Sequence, residues 1–234
     1  MLRQQNSLGS RKNSRAFTLV ETLTVVAIIA VLALLTVTGV GALTRRAQDT
    51  KCNSNLRQIY LALNAYAMDH CGEYPAVRDI GPPQVYWYMA LASYAGGKNK
   101  VGQNYGDSRD IASIFRCPGA KADFLAPSDS DIFRTYVASD FMRANPTSAS
   151  LWDKGARPAT VATPSKSLIC VDGAKTSTGT DYACASGNIF NTVKISYRHG
   201  GSKTGHANGL FFDGHVASLK SGDITREMWE KPKQ

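Results

Sequence analysis

The longest apolar run of the chain lies near its amino terminus, at residues 17–43. This stretch, FTLVETLTVVAIIAVLALLTVTGVGAL, contains one ionisable residue, Glu21, close to its start. As a helix that rises about 1.5 Å per residue it would extend about 40 Å, and the hydrocarbon core of a bilayer is about 30 Å thick. The pattern therefore predicts a transmembrane helix.

Residues 1–16 form a basic leader before this run. They contain Arg3, Arg11, Lys12 and Arg15 and no acidic residue. Because basic flanks stay on the cytoplasmic side, the leader is predicted to be cytoplasmic and the remainder to point outward. The apolar core of a secretory signal peptide is shorter, about 7 to 15 residues. We therefore expect a single-pass membrane protein with a cytoplasmic amino terminus.

Helical periodicity continues through residues 44–72, where apolar side chains recur at intervals of three and four. These are Leu56, Ile59, Tyr60, Leu63, Tyr66 and Ala67. Such spacing predicts an amphipathic helix whose apolar stripe needs a covering sheet or helix. Gly72 is expected to end it, and nothing after Leu43 breaks the helical pattern. We predict one continuous helix from about Phe17 to about His70.

An aromatic segment follows at residues 84–94, with the sequence QVYWYMALASY. Its spacing predicts a short helix. Aromatic side chains at this density can hold a sugar or a peptide, but at helical spacing they are more often buried. We interpret the segment as part of the core.

Strand patterns occur in the carboxy-terminal half of the chain. The candidates are Tyr136–Ala138, Ser167–Asp172, Ile195–Arg198, Gly209–Phe212 and His215–Leu219. Asp213-Gly214 between the last two is typical of a hairpin with a two-residue type I′ turn. The head, residues 73–234, is thus expected to be α+β, with the long helix packed on an antiparallel sheet that carries long loops.

The composition excludes some classes of function. The formal charge is +9, and removal of four basic leader residues leaves 9 − 4 = +5, spread without a dense block. Nucleic-acid binding proteins usually concentrate such charge, so no nucleic-acid partner is expected. The chain contains no nucleophile elbow, phosphate-binding glycine loop or HExxH helix, so we expect neither an enzyme nor a cofactor.

The junction Arg15-Ala16-Phe17-Thr18-Leu19-Val20-Glu21 resembles the processing site of type IV prepilins and type II secretion pseudopilins. The resemblance implies that prepilin peptidase cuts between Ala16 and Phe17 and methylates the Phe17 amino group. The usual residue before the cut is Gly, whereas this chain has Ala16. The resemblance also implies that Glu21, the fifth residue of the mature chain, pairs with the amino terminus of another subunit.

The carboxy-terminal end resembles the signature of a large bacterial group of prepilin-processed proteins, in which about nine residues separate a His from an Asp-Gly pair. Here thirteen residues, 200–212, lie between His199 and Asp213-Gly214. Similar sequences carry a Cys at the positions of Cys52 and Cys117, so the resemblance implies a disulfide between these two.

The five cysteines leave at least one thiol unpaired within the chain, and Cys170 with Cys184 is the next candidate pair. Four carboxy-terminal residues, His199, His206, Asp213 and His215, have side chains suited to a metal. Because Asp213 belongs to a turn and His215 to a strand, we expect no metal on this set.

Together these patterns favour a pilin-like structural subunit of a type II secretion or type IV pilus-like filament. Its expected partners are prepilin peptidase, other pilin-type subunits and inner-membrane lipid. Two alternatives remain. One is an envelope domain that does not polymerise and binds a carbohydrate or peptide through residues 86–94 or the long loops. The other is an envelope metalloenzyme that uses His199, His206 and His215.

Overall fold

The structure is a computed structural model that describes residues 18–79, 85–96, 113–120, 135–142, 155–173, 195–200 and 205–229. The chain divides into two structural units, residues 1–43 and residues 44–234. The described sheets and the buried core belong to the second unit.

One long helix, α1 (Leu19–Asp69), forms the amino-terminal part of the described chain. The prediction of a single uninterrupted helix is therefore confirmed. Two left-handed residues, Cys71 and Gly72, follow its end, with φ of 53° and 78°. The structure does not describe the side chains of residues 35–39 of this helix. Among the residues that it does describe, no helix is long and apolar enough to cross a membrane.

The second half of α1 buries the predicted apolar stripe. Leu56, Ile59 and Leu63 are fully buried, whereas Leu61, on the opposite face, is 67% exposed. Each of these three buried side chains stabilises the fold by about 1.5 to 3 kcal/mol. Their burial therefore holds this half of the helix against the head.

A four-stranded antiparallel sheet covers this stripe. Its strands are β3 (Tyr136–Ala138), β4 (Leu168–Asp172), β5 (His206–Phe211) and β6 (Val216–Lys220), in the spatial order β3-β4-β5-β6. All five residues of β4 are buried, as expected for a central apolar strand. The predicted α+β architecture, a long helix packed on an antiparallel sheet, is thus confirmed.

The hairpin of β5 and β6 is confirmed, but its turn differs from the prediction. Phe211 donates its N–H to the His215 carbonyl at 3.0 Å, and Gly214 donates to the Phe211 carbonyl at 2.9 Å. Three residues therefore form the loop, and only Gly214 has a positive φ, of 90°. A type I′ turn needs positive φ at both central residues, so the prediction was wrong; a type I turn followed by a left-handed Gly fits.

The remaining elements are short. They are β1 (Arg78–Asp79), β2 (Val85–Tyr86), which pairs with β1, α2 (Trp87–Ala90) and α3 (Arg226–Trp229). The predicted aromatic helix is thus reduced to one helical turn plus a strand. The strand predicted at Ile195–Arg198 is absent from this described segment, where Ile195 forms only an isolated bridge with Gly173.

Candidate functional site

Of the predicted processing and assembly residues, the structure describes Glu21. Ala16 and Phe17 lie outside the described residues. The Glu21 carboxylate accepts hydrogen bonds from the Thr18 backbone N–H and from the Thr18 hydroxyl, both at 2.9 Å. In return, the Glu21 N–H donates to Thr18 Oγ1 at 3.3 Å. This reciprocal pattern is a capping box, which satisfies two unpaired donors at the start of a helix.

A second, buried site lies in the head, where four different segments converge. α1 contributes Cys52, the segment after the 3₁₀ turn Ser113–Phe115 contributes Cys117, the end of β4 contributes Asp172, and the segment before β5 contributes His199. One ligand atom of each residue lies within 4.8 Å of the others, and all four residues are buried. We call this set the thiol cluster.

Backbone and amide hydrogen bonds position the segments that carry the cluster. Asn55, one turn after Cys52 on α1, donates from its amide to the Arg116 carbonyl at 2.8 Å. The Cys117 N–H donates to Thr135 Oγ1 at 2.6 Å. The backbone groups of His199 and His206 exchange two hydrogen bonds, of 3.1 and 2.9 Å. The cluster is therefore tied to the helix and to the sheet.

The distances inside the cluster are short. His199 Nε2 lies 3.2 Å from Cys117 Sγ and 3.2 Å from Asp172 Oδ2. Cys52 Sγ lies 3.7 Å from each carboxylate oxygen of Asp172. Two thiols, an imidazole and a carboxylate thus face a common point, and these are the side chains that bind zinc.

A second layer of polar groups surrounds the cluster. His199 Nδ1 faces Asp49 Oδ1 at 3.5 Å, and this oxygen also accepts from Asn208 Nδ2 at 2.7 Å. The Asn208 N–H donates to Asp172 Oδ2 at 2.8 Å. His206 Nε2 lies 3.3 Å from the same Asp49 oxygen. Asp49 therefore fixes the side of the His199 ring that points away from the thiols.

The cluster shifts the protonation of its members. The hydrogen bond with Cys52 is the largest cause that lowers the pKa of Cys117, to about 6, although burial opposes it. The same bond, followed by burial, raises the pKa of Cys52. Burial favours neutral His199, but hydrogen bonds with Asp172 and Cys117 outweigh it and raise the pKa of His199 to about 10. In this geometry one thiol ionises and the other donates to it.

The predicted disulfide between Cys52 and Cys117 stays a prediction. The structure brings both sulfurs into the same cluster as free thiols, with the two Sγ atoms within 4.8 Å. Cys170 is also a free, fully buried thiol, and Cys184 lies outside the described residues.

The other residues of the carboxy-terminal signature lie outside the thiol cluster. Asp213 and Gly214 form the β5–β6 turn, where Asp213 Oδ1 lies 2.5 Å from His215 Nδ1. A Cβ on Gly214 would lie 2.5 Å from the ring of Tyr60, so this turn packs directly on α1. The four-residue metal set that the sequence suggested is therefore divided: His199 enters the thiol cluster, and His206 lies beside it.

The proposed ligand platform of the binding-domain alternative is buried. Trp87 and Tyr88 are 0% and 3% exposed, and Trp87 packs edge-to-face on Phe115 at 5.6 Å between ring centroids. The interpretation of this segment as core is confirmed.

Asp172 and Asp49 are two members of the site that were not predicted from the sequence. Asp172 ends an apolar strand, and a carboxylate at such a position needs a partner when it is buried, which is a signal that the sequence contains. Asp49 lies among polar residues of α1, and nothing local distinguishes it from a solvated acid.

Residues 11–37 match the family model described as the prokaryotic N-terminal methylation motif. No curated protein and no solved structure shows a significant match to the chain. The motif match supports a type IV pilin-like protein that is a substrate of prepilin peptidase.

Proposed function

We propose that this protein is a structural subunit of a type II secretion or type IV pilus-like filament. The match of residues 11–37 to the N-terminal methylation motif carries the proposal. In this function, prepilin peptidase cuts between Ala16 and Phe17 and methylates the Phe17 amino group. Residues 17–43 anchor the subunit in the inner membrane, and the head faces away from the cytoplasm.

Glu21 provides the charge for assembly in this proposal. A carboxylate inside a bilayer costs about 2.5 to 3.5 kcal/mol at the helix centre, so it gains from a cationic partner. The new amino terminus of a neighbouring subunit supplies that cation. In a single chain, the Glu21 carboxylate instead caps its own helix through Thr18.

These two roles of Glu21 can be separated by substitution, because a capping box accepts Gln as well as Glu. Glu21→Gln keeps the cap and removes the charge, whereas Glu21→Ala removes both. Thr22→Ser, on the next residue, is the matched control that preserves charge and cap.

The experiment co-expresses each variant with prepilin peptidase and measures two things. Mass spectrometry of the mature amino terminus is expected to find N-methylated Phe17. Crosslinking and filament recovery are expected to fall strongly for both Glu21 variants and to stay unchanged for Thr22→Ser. An intact Met1, or a Glu21→Gln subunit that assembles as well as the natural one, would contradict the proposal.

A further inference from the structure

We propose that the thiol cluster is a tetrahedral zinc site, in which Cys52 Sγ, Cys117 Sγ, His199 Nε2 and an oxygen of Asp172 are the ligands. The site would be structural and would join α1 to the sheet of the head. It does not depend on whether the subunit polymerises.

The spacing of the donor atoms fits such an ion. Zinc bonds of about 2.0 to 2.3 Å give a tetrahedron with edges of about 3.3 to 3.8 Å, since an edge is about 1.63 times the bond length. Three of the six edges are 3.2 Å from His199 Nε2 to Cys117 Sγ, 3.2 Å from the same nitrogen to Asp172 Oδ2, and 3.7 Å from Cys52 Sγ to the same Asp172 oxygen. These three distances lie within about 0.1 Å of the expected range, and the donor atoms of the remaining pairs lie within 4.8 Å of one another.

A dication would balance the charges that the donor set has as ligands. In the zinc-bound form the two cysteines are thiolates and His199 is neutral, so the four buried residues together carry three negative charges. Buried charges are unfavourable unless they are paired or coordinate a metal. A zinc ion would reduce the total to one negative charge.

The surroundings match those of bound metals. A histidine ligand usually donates its other ring N–H to a carboxylate or carbonyl, which fixes its tautomer. Here His199 Nδ1 faces Asp49, and Asp49 is itself held by the Asn208 amide. The Tyr136 hydroxyl, 3.2 Å from Cys52 Sγ, is placed to donate to a metal-bound thiolate.

The same residues have two alternative roles, which the experiments below distinguish from a zinc site. In the first, Cys52 and Cys117 form a disulfide, which takes both sulfurs away from a metal. In the second, Cys117 is a nucleophile activated by His199 and Asp49, as in cysteine hydrolases. Cys117 is only 2% exposed, so a substrate would not reach it in this conformation.

The test uses the full chain purified in detergent without chelators. Elemental analysis is expected to find about one zinc per chain, retained on dialysis against metal-free buffer. Cobalt(II) substitution should give the visible ligand-field and near-ultraviolet sulfur-to-cobalt bands of a tetrahedral thiolate site. Both measurements use the natural sequence, so they do not depend on a variant that folds.

Variants then assign the ligands. Cys117→Ser and His199→Gln are expected to lose zinc, whereas the matched controls Cys71→Ser, at an exposed thiol, and His215→Gln, at an exposed imidazole, keep it. Asp49→Asn is expected to weaken zinc affinity about 10- to 100-fold while the ligands remain.

Three results would overturn the proposal. They are a chain that stays free of metal after zinc is added under reducing conditions, a Cys117→Ser variant that binds zinc as tightly as the natural chain, and a quantitative Cys52–Cys117 disulfide in peptides mapped without reduction. Rapid alkylation of Cys117 by iodoacetamide in a folded chain that binds no zinc would instead support the role of Cys117 as a nucleophile.

Discussion

The contact between the β5–β6 turn and α1 gives the sharpest stability prediction. Gly214 has a φ of 90°, and a Cβ added there would lie 2.5, 2.8 and 2.9 Å from three atoms of the Tyr60 ring. Gly222 has a similar φ of 98°, but a Cβ there would meet nothing within 4 Å. The two glycines therefore separate backbone strain from a steric clash.

The magnitudes follow from these two terms. A left-handed conformation costs an L-residue about 1 to 2 kcal/mol, and the smaller entropy of the unfolded Ala chain offsets about 0.4 to 1 kcal/mol. Gly222→Ala should therefore cost about 0 to 1.6 kcal/mol. Gly214→Ala carries the same terms plus overpacking against Tyr60, worth about 1 to 3 kcal/mol. The difference between the variants isolates the contact.

Thermal unfolding followed by tryptophan fluorescence measures this difference, because Trp87 and Trp229 are buried. A domain of this size shifts its Tm by about 2 to 4 °C per kcal/mol, so Gly214→Ala should melt about 2 to 12 °C below Gly222→Ala. Tyr60→Leu combined with Gly214→Ala should recover part of the loss. Equal melting of the two Ala variants, or no coupling with Tyr60, would refute the reasoning.

Two further predictions concern α1 and the surface. Leu56→Ala, at a fully buried site, should lower the free energy of unfolding in urea by about 2 to 5 kcal/mol. Leu61→Ala, at a site 67% exposed, should change it by less than about 0.5 kcal/mol. Similar losses for the two variants would mean that Leu56 does not belong to the buried face of α1. Arg157→Ala removes a 2.9 Å ion pair with Glu73, and because the Arg157 side chain is 58% exposed, the loss should stay below about 1 kcal/mol and shrink in high salt. A salt-independent loss above about 2 kcal/mol would contradict this estimate.

The local sequence pattern predicted those elements whose apolar side chains are buried along the element itself. The stripe of Leu56, Ile59 and Leu63 and the apolar run of β4 were predictable because each element must cover its own apolar face. The turn at Asp213-Gly214 was predicted in place but not in type. Hairpin loops of two and three residues share this dipeptide, and the position of Tyr60 on α1 cannot be seen from the local sequence.

The thiol cluster was only partly predictable for a similar reason. From the sequence, Cys52 and Cys117 were predicted to be a disulfide pair, and His199 was predicted to be a signature residue apart from them. Their convergence with Asp172 depends on how α1, the segment after Phe115 and the sheet meet, and these contacts join residues that are far apart in the chain.

The order of the cluster residues along the chain has a consequence for folding. Cys52, Cys117 and Asp172 are synthesised before His199, so the four donors are complete only once the chain has been made as far as His199. Until then, the two thiols would lack the imidazole that completes the cluster. A chain truncated before His199 would therefore keep both thiols without the site that holds them.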